Sequence, residues 1–303
     1  MKTQGTIKSE KYFIDTENID QRVNTKVLDQ LFPEDAAIIM LGTHDDDIPI
    51  HAGCTARFLS YHRNTYNIVT LFDALGVFKD YCSSYMSETR NLDINQYNER
   101  QIETFMCAIR FNEFVKWVME IPFKGYIHLA MEWRAKKLAY KSTGTYQYVD
   151  AFSSIFNPPK TKDKNKIKQT VKEYLKNKTI WFLQDPNALH PQHSTASTLF
   201  ISAIKKFAPD TSIFLYSSRT EKLRPEQEED DLILYFSDEA VNQNADAINR
   251  CFVSQNARHY DPLYYGKTAK ELARFNYERN PLTASDRYHY AESFRILKTR
   301  GVN

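Results

Sequence analysis

The chain has 303 residues, 42% of them hydrophobic, which allows one large domain or two modest ones and excludes global disorder. Its formal net charge is only +2, so nucleic-acid affinity must come from local patches, and its 8 glycines argue against glycine-rich phosphate loops. Cys54, Cys82, Cys107 and Cys251 include no CxxC spacing and read as reduced thiols of a cytoplasmic protein, and no apolar run approaches the roughly 20 residues that span a bilayer.

The first element is the apolar run "YFI" at 12–14, which delivers Asp15, Glu17 and Asn18 at its end. "QRVNTKVLDQLF" then places Val23, Val27, Leu28 and Leu31 on one helical face, with Asn18 or Asp20 as N-cap. Further buried strands are predicted at "AAIIML" (36–41), "TIWFL" (179–183), "SIFLY" (212–216) and "LILYF" (232–236), with a weaker one at "YNIVTLF" (66–72). Continuous apolar character, rather than alternation, points to parallel strands covered on both faces. "STASTLFISAIKKF" (194–207) lies between two of them and completes a βαβ unit.

The middle differs. "NERQIETFMCAIRFNEFVKWVMEI" (98–121) carries apolar residues at helical spacing, and "IHLAMEWRAKKLAY" (127–140) continues in that style. A Pro pair and a lysine-rich joint, including Lys164, Lys168 and Lys172, close this region. The C-terminal stretch from Lys267 also reads as helical, with a break at Pro281. The expectation is an α/β fold: a Rossmann-like, mainly parallel sheet formed by N- and C-terminal segments, with a helical insertion in the middle. Its parts are 1–91 and 179–256 for the layer, 92–178 for the insertion with its joint, and 257–303 for a C-terminal helical extension.

Each of the five strongest strands ends in polar residues: "IDTEN", "MLGTHDDD", "FLQDPN", "LYSSRT" and "YFSDEA". Ligands of open parallel sheets bind beyond the carboxyl ends of the strands. Asp15, Glu17, Asp45, Asp46, Asp185, Asp238 and Glu239 are therefore expected on one edge, where Mg²⁺ or Mn²⁺ would offset their repulsion. "HDDDIPIHAGC" (44–54) adds His44, His51 and Cys54, but without a recognised zinc spacing. "HPQH" (190–193) reads as a loop with a capped helix start rather than a metal clip. "SSRT" (217–220), with Arg219, offers a phosphate grip, and "ARHYDPLYYGK" (257–267), with Arg258, interleaves aromatics and cations as nucleic-acid surfaces do.

"YFIDTEN" (12–18) resembles the opening strand of PIN-like and NYN ribonuclease domains, and "LILYFSDEAV" (232–241) resembles their later strand. The resemblance implies that Asp15 and Asp238 bind the metal, that Asn18 holds the active-site loop and that Ser237 orients the second acid. The leading functional expectation is thus a Mg²⁺- or Mn²⁺-dependent nuclease acting on RNA or single-stranded nucleic acid. Asp15, Asp238 and Glu17 would be catalytic, and Asp15, Asp238, Asp45 and Asp46 would hold the metal. Asn18, Ser237, Arg219, Lys164, Lys168, Lys172 and Arg258 would meet the substrate. The alternatives are a non-catalytic nucleic-acid-binding or assembly protein, or an α/β enzyme acting on a nucleotide or sugar phosphate.

Overall fold

The computed structural model describes residues 11–18, 22–71, 79–131, 179–188, 191–209, 211–217, 230–282 and 287–297, with isolated residues between 165 and 172. Its strands are β1 (Tyr12–Asp15), β2 (Ala37–Gly42), β3 (Asn64–Leu71), β4 (Gly125–Met131), β5 (Thr179–Gln184), β6 (Ser212–Tyr216), β7 (Leu232–Phe236) and β8 (Tyr290–Leu297). They form one sheet in the order β1-β7-β8-β6-β5-β2-β3-β4. All pairings are parallel except the two made by β8, so the fold is Rossmann-like α/β.

The helices are α1 (Arg22–Leu31), α2 (Asp47–His62), α3 (Lys79–Arg90), α4 (Glu99–Met119), α5 (Pro191–Phe207), α6 (Asp238–Cys251), α7 (Val253–Arg258) and α8 (Tyr264–Arg279). Successive strand residues point to opposite faces, and the two halves of the core follow that alternation. Ile38, Met40, Phe182 and Phe214 join one cluster with Phe58 and Leu59 of α2, Ile248 of α6 and Ala269 of α8. Ile39, Leu41, Trp181, Leu183 and Leu215 join the other with Ala196, Phe200 and Ile204 of α5. Both faces being covered is why these strands are apolar at every position.

Two segments depart from the expected helices. Residues 127–131 lie on β4, a parallel edge strand beside β3, while 132–140 fall outside the described residues. Leu, Ala and Met favour helices in isolation, and pairing with β3 overrides that preference. Beyond α8 the chain returns as β8, an antiparallel strand filling the gap between β6 and β7.

β8 also fastens α2. That helix breaks at Ala52, whose φ of −147° and ψ of 26° are not helical. The buried Glu292 of β8 accepts hydrogen bonds from the Cys54 amide (3.0 Å) and the Thr55 amide (2.7 Å), capping the restarted helix. Asn244 of α6 donates to the Pro49 carbonyl at 3.2 Å, and a Cβ on Gly53 would lie 2.6 Å from the Asn244 side-chain amide. Only glycine permits that approach.

A second buried acid works the same way on α7. Glu113 of α4 accepts from the Ser254 amide (2.6 Å) and the Ser254 hydroxyl (2.7 Å). Burial pushes both Glu113 and Glu292 up to about 7, against 4.5 for an ordinary glutamate. The folded state keeps these protons where the unfolded chain has lost them, so their contribution is full below pH 4.5 and lost as pH rises through about 7. Thermal unfolding in the presence of a chelator is therefore expected to show a midpoint that falls between pH 5 and pH 8. Glu292→Gln should flatten that slope while lowering the midpoint at pH 5, because one of two buried amides loses its acceptor, at about 1–3 kcal/mol.

Candidate metal centre

β2 and β5 are hydrogen-bonded neighbours running in the same direction, so the loops leaving their carboxyl ends meet. After β2 the chain turns through Thr43 and His44 into α2, whose first residue is Asp47. After β5 it turns at Asp185 and enters α5, which carries Gln192 and His193 in its first turn. Thr43 donates to the Gln184 side-chain oxygen at 2.7 Å and ties the two strand ends together. Asp185 is buried and holds the second loop by accepting from the Asn187 amide and from Arg295 of β8, each at 2.8 Å. Ser194 closes that loop on the Pro186 carbonyl at 2.6 Å.

The result is a compact group. His44, Asp47 and His193 each offer one ligand atom, and these atoms lie within 4.8 Å of one another. His44 Nδ1 is 3.0 Å from His193 Nε2, and the Asp47 carboxylate oxygens lie 3.7 Å and 3.4 Å from those two nitrogens. The two ring nitrogens share a hydrogen bond, and once that hydrogen is given up the three converging atoms form a site suited to a divalent cation. The Asp47 carboxylate is held by the His44 backbone amide at 2.7 Å and by the Gln184 side chain. Burial pushes its pKa up to about 7, and the neighbouring Asp46 adds to that effect against His44. Binding a cation there displaces a proton, so affinity should rise with pH.

Asp46 flanks the group. Burial disfavours its charge, but the Arg110 guanidinium, then His44 and His51, outweigh that and hold it below the usual carboxylate range. Arg110 comes from α4 and is itself buried, gripping Asp45 through Nε at 3.1 Å and through Nη2, with Asp46 at 3.4 Å. A buried Arg–Asp pair that also faces Asp46 keeps a carboxylate charged beside the two histidines.

The expected carboxylate edge is split. Between β1 and β2 lie four strands, so at roughly 4.8 Å per strand Asp15 is about 24 Å from the β2 end and cannot share an ion with Asp45 or Asp46. β1 and β7 do lie side by side and parallel, as expected. Asp15 is nevertheless already engaged: it accepts from the Tyr288 hydroxyl, from Asn18 Nδ2 at 2.6 Å, and from the amides of Glu17 and Asn18 at 3.1 and 3.2 Å. It closes the turn after β1, and Asn18 is its partner there. Glu17 pairs with Arg287 at 3.0 Å. Ser237 caps α6 by accepting from the Ala240 amide at 3.3 Å, which leaves Asp238 exposed in the first helical turn. Asp45 is taken by Arg110.

Arg219 and Lys164 fall outside the described residues. Lys168 is exposed, Lys172 Nζ sits 4.8 Å from the Phe207 ring centroid, and Arg258 is half-buried at the end of α7. None of the described helices is long and apolar enough to cross a membrane.

No protein-family model and no curated protein matches the sequence. Among solved structures, the chain is similar to the N,N'-diacetylchitobiose deacetylase of Pyrococcus horikoshii, with TM-score 0.58 and 16% identity over 93% of this chain and 91% of that one. It is similar to the zinc-inhibited form of teicoplanin deacetylase Orf2, with TM-score 0.52 and 11% identity over 86% and 98%. It is also similar to GalB, the 4-carboxy-2-hydroxymuconate hydratase of Pseudomonas putida KT2440, with TM-score 0.52 and 11% identity over 88% and 98%.

These likenesses overturn the ribonuclease resemblance. The fold shared along most of the chain is that of deacetylases and a hydratase, not of PIN-like or NYN domains. The nuclease and its RNA or single-stranded partner do not hold, because the fold is that of these neighbours; the strand order, in addition, parts Asp15 and Asp238 from Asp45 and Asp46. His193, read from the sequence as part of a capped loop, belongs to the candidate centre instead. His193→Ala is expected to reduce Zn²⁺ or Co²⁺ uptake in equilibrium dialysis from one ion per chain to near none. Asp15→Asn should leave that uptake intact and lower the unfolding midpoint, at about 1–3 kcal/mol.

Proposed function

We propose that the chain is a metal-dependent hydrolase that removes an acyl group, acetyl first, from an amine on a sugar or sugar-bearing molecule. The observation that carries this reading is the His44–Asp47–His193 group with a charged Asp46 beside it. Two of the structural neighbours are deacetylases, one of a chitobiose derivative and one of teicoplanin, which supports the substrate class. Because the same fold also serves a hydratase, the reaction is argued from the site rather than from the fold.

Two imidazole nitrogens and one carboxylate suit Zn²⁺ better than Mg²⁺, which prefers an all-oxygen shell. His44, Asp47 and His193 would hold the ion, which supplies Lewis acidity toward water and the acyl carbonyl. The remaining work falls to the chain itself. Asp46, kept ionised by Arg110, accepts a proton from the water that adds to the acyl carbon. It returns that proton to the amine nitrogen as the C–N bond breaks, giving a carboxylic acid and a free amine. Arg110 fixes the Asp46 carboxylate through its own pairing with Asp45.

The test is release of acetate and free amine from N-acetylglucosamine and N,N'-diacetylchitobiose with one equivalent of Zn²⁺. Asp46→Asn is expected to lower kcat about 10²–10⁴-fold, with Zn²⁺ content unchanged by elemental analysis. A wild-type protein that binds Zn²⁺ yet releases no amine from an N-acetyl sugar panel would remove the proposal.

A further inference from the structure

Gln192 occupies a position that the proposed hydrolysis does not use directly. It is 3% exposed, and its side-chain oxygen lies 2.8 Å from His44 Nε2. A carboxamide oxygen only accepts hydrogen bonds. His44 Nε2 must therefore carry the hydrogen, and in the neutral ring Nδ1 is left with its lone pair. That nitrogen is the one facing His193 Nε2 at 3.0 Å and Asp47 Oδ2 at 3.7 Å.

We infer that Gln192 is a positioning residue that selects the Nε2–H tautomer of His44, so that Nδ1 is ready to bind the cation, and that its neutrality keeps the ion electrophilic. The inference deepens the reading above and rests on it for the identity of the group that His44 serves. Imidazole ligands are generally oriented by a partner on the other ring nitrogen. A carboxylate in that place would make the ring more basic and add a negative charge beside Asp46 and Asp47. A buried amide orients the ring and leaves the charge unchanged. Its placement follows from the local chain: Gln192 and His193 are successive residues in the first turn of α5, so one turn of helix delivers both a partner for His44 and a ligand of its own.

Two measurements test this. In the metal-free protein, the ¹⁵N shifts of the His44 ring report the tautomer directly. Nε2–H is expected in the wild type and in Gln192→Glu, and a mixture of tautomers in Gln192→Leu and Gln192→Asn, which remove or retract the acceptor. Co²⁺ titration followed by the visible spectrum should show a Kd about 10–100-fold weaker for Gln192→Leu and Gln192→Asn. Gln192→Glu should keep or tighten binding, with shifted absorption bands. The unfolding midpoint of the metal-free protein should change little, separating this role from general packing. Nδ1–H on His44 in the wild type, or Co²⁺ affinity in Gln192→Leu and Gln192→Asn within twofold of wild type, would overturn the inference. A wild type whose Co²⁺ binding is absent, or indifferent to His193→Ala, would instead defeat the cation reading, and the ring shifts would still report on Gln192.

Discussion

The parallel pairing of β2 with β5 is the constraint on which the candidate centre depends. Ala37 to Met40 register against Thr179 to Phe182, although some 140 residues of chain lie between them. That register makes the two strands end together, and the Thr43–Gln184 bond joins their tips. His44, Asp47 and His193 then need no long reach, because each stands within a turn of its strand end or on the first turn of the next helix. A slip of one residue in this pairing would turn every side chain on one strand to the opposite face of the sheet, and the three ligand atoms would part.

Around this centre the protein uses buried polar contacts where an apolar core would not suffice. α2 must begin at Asp47 and yet pack Phe58 and Leu59 into the core, and the break at Ala52 allows both. The broken helix exposes amides in the interior, and unpartnered amides are costly there. Glu292 satisfies them. Glu113 does the same for α7, three residues from Arg110 on α4, so a single helix steadies the Asp45–Asp46 segment and the start of α7.

Much of the sheet was legible in the sequence, and the reasons are local. "AIIML", "IWFL", "IFLY" and "LILY" are apolar at consecutive positions because both faces are covered. β8 was not legible. "YAESFRIL" carries Glu292, Ser293 and Arg295, and the burial of Glu292 follows from amides on α2 that no periodicity reveals. β4 was hidden by residues that favour helices until an edge is offered to them. The candidate centre was half visible. "HDDD" and "HPQH" both stood out as polar stretches near strand ends, yet nothing in either string says that the second and fifth strands are neighbours. The acids of "IDTEN" and "SDEA" drew more attention because β1 and β7 end in them; Asp15 closes a turn, Glu17 pairs with Arg287, and Asp238 lies exposed in a helical turn that Ser237 caps.

The position of β8 has a consequence for how the molecule is assembled. Without it the sheet is two unconnected pieces, β1 with β7, and β6-β5-β2-β3-β4, since among the described residues no other strand bridges β6 and β7. Residues 290–297 close that seam like the last stave of a cask, pairing antiparallel with β6 on one side and with β7 on the other. His44, Asp47 and His193 all belong to the five-stranded piece, so the whole ligand set stands on one side of the seam.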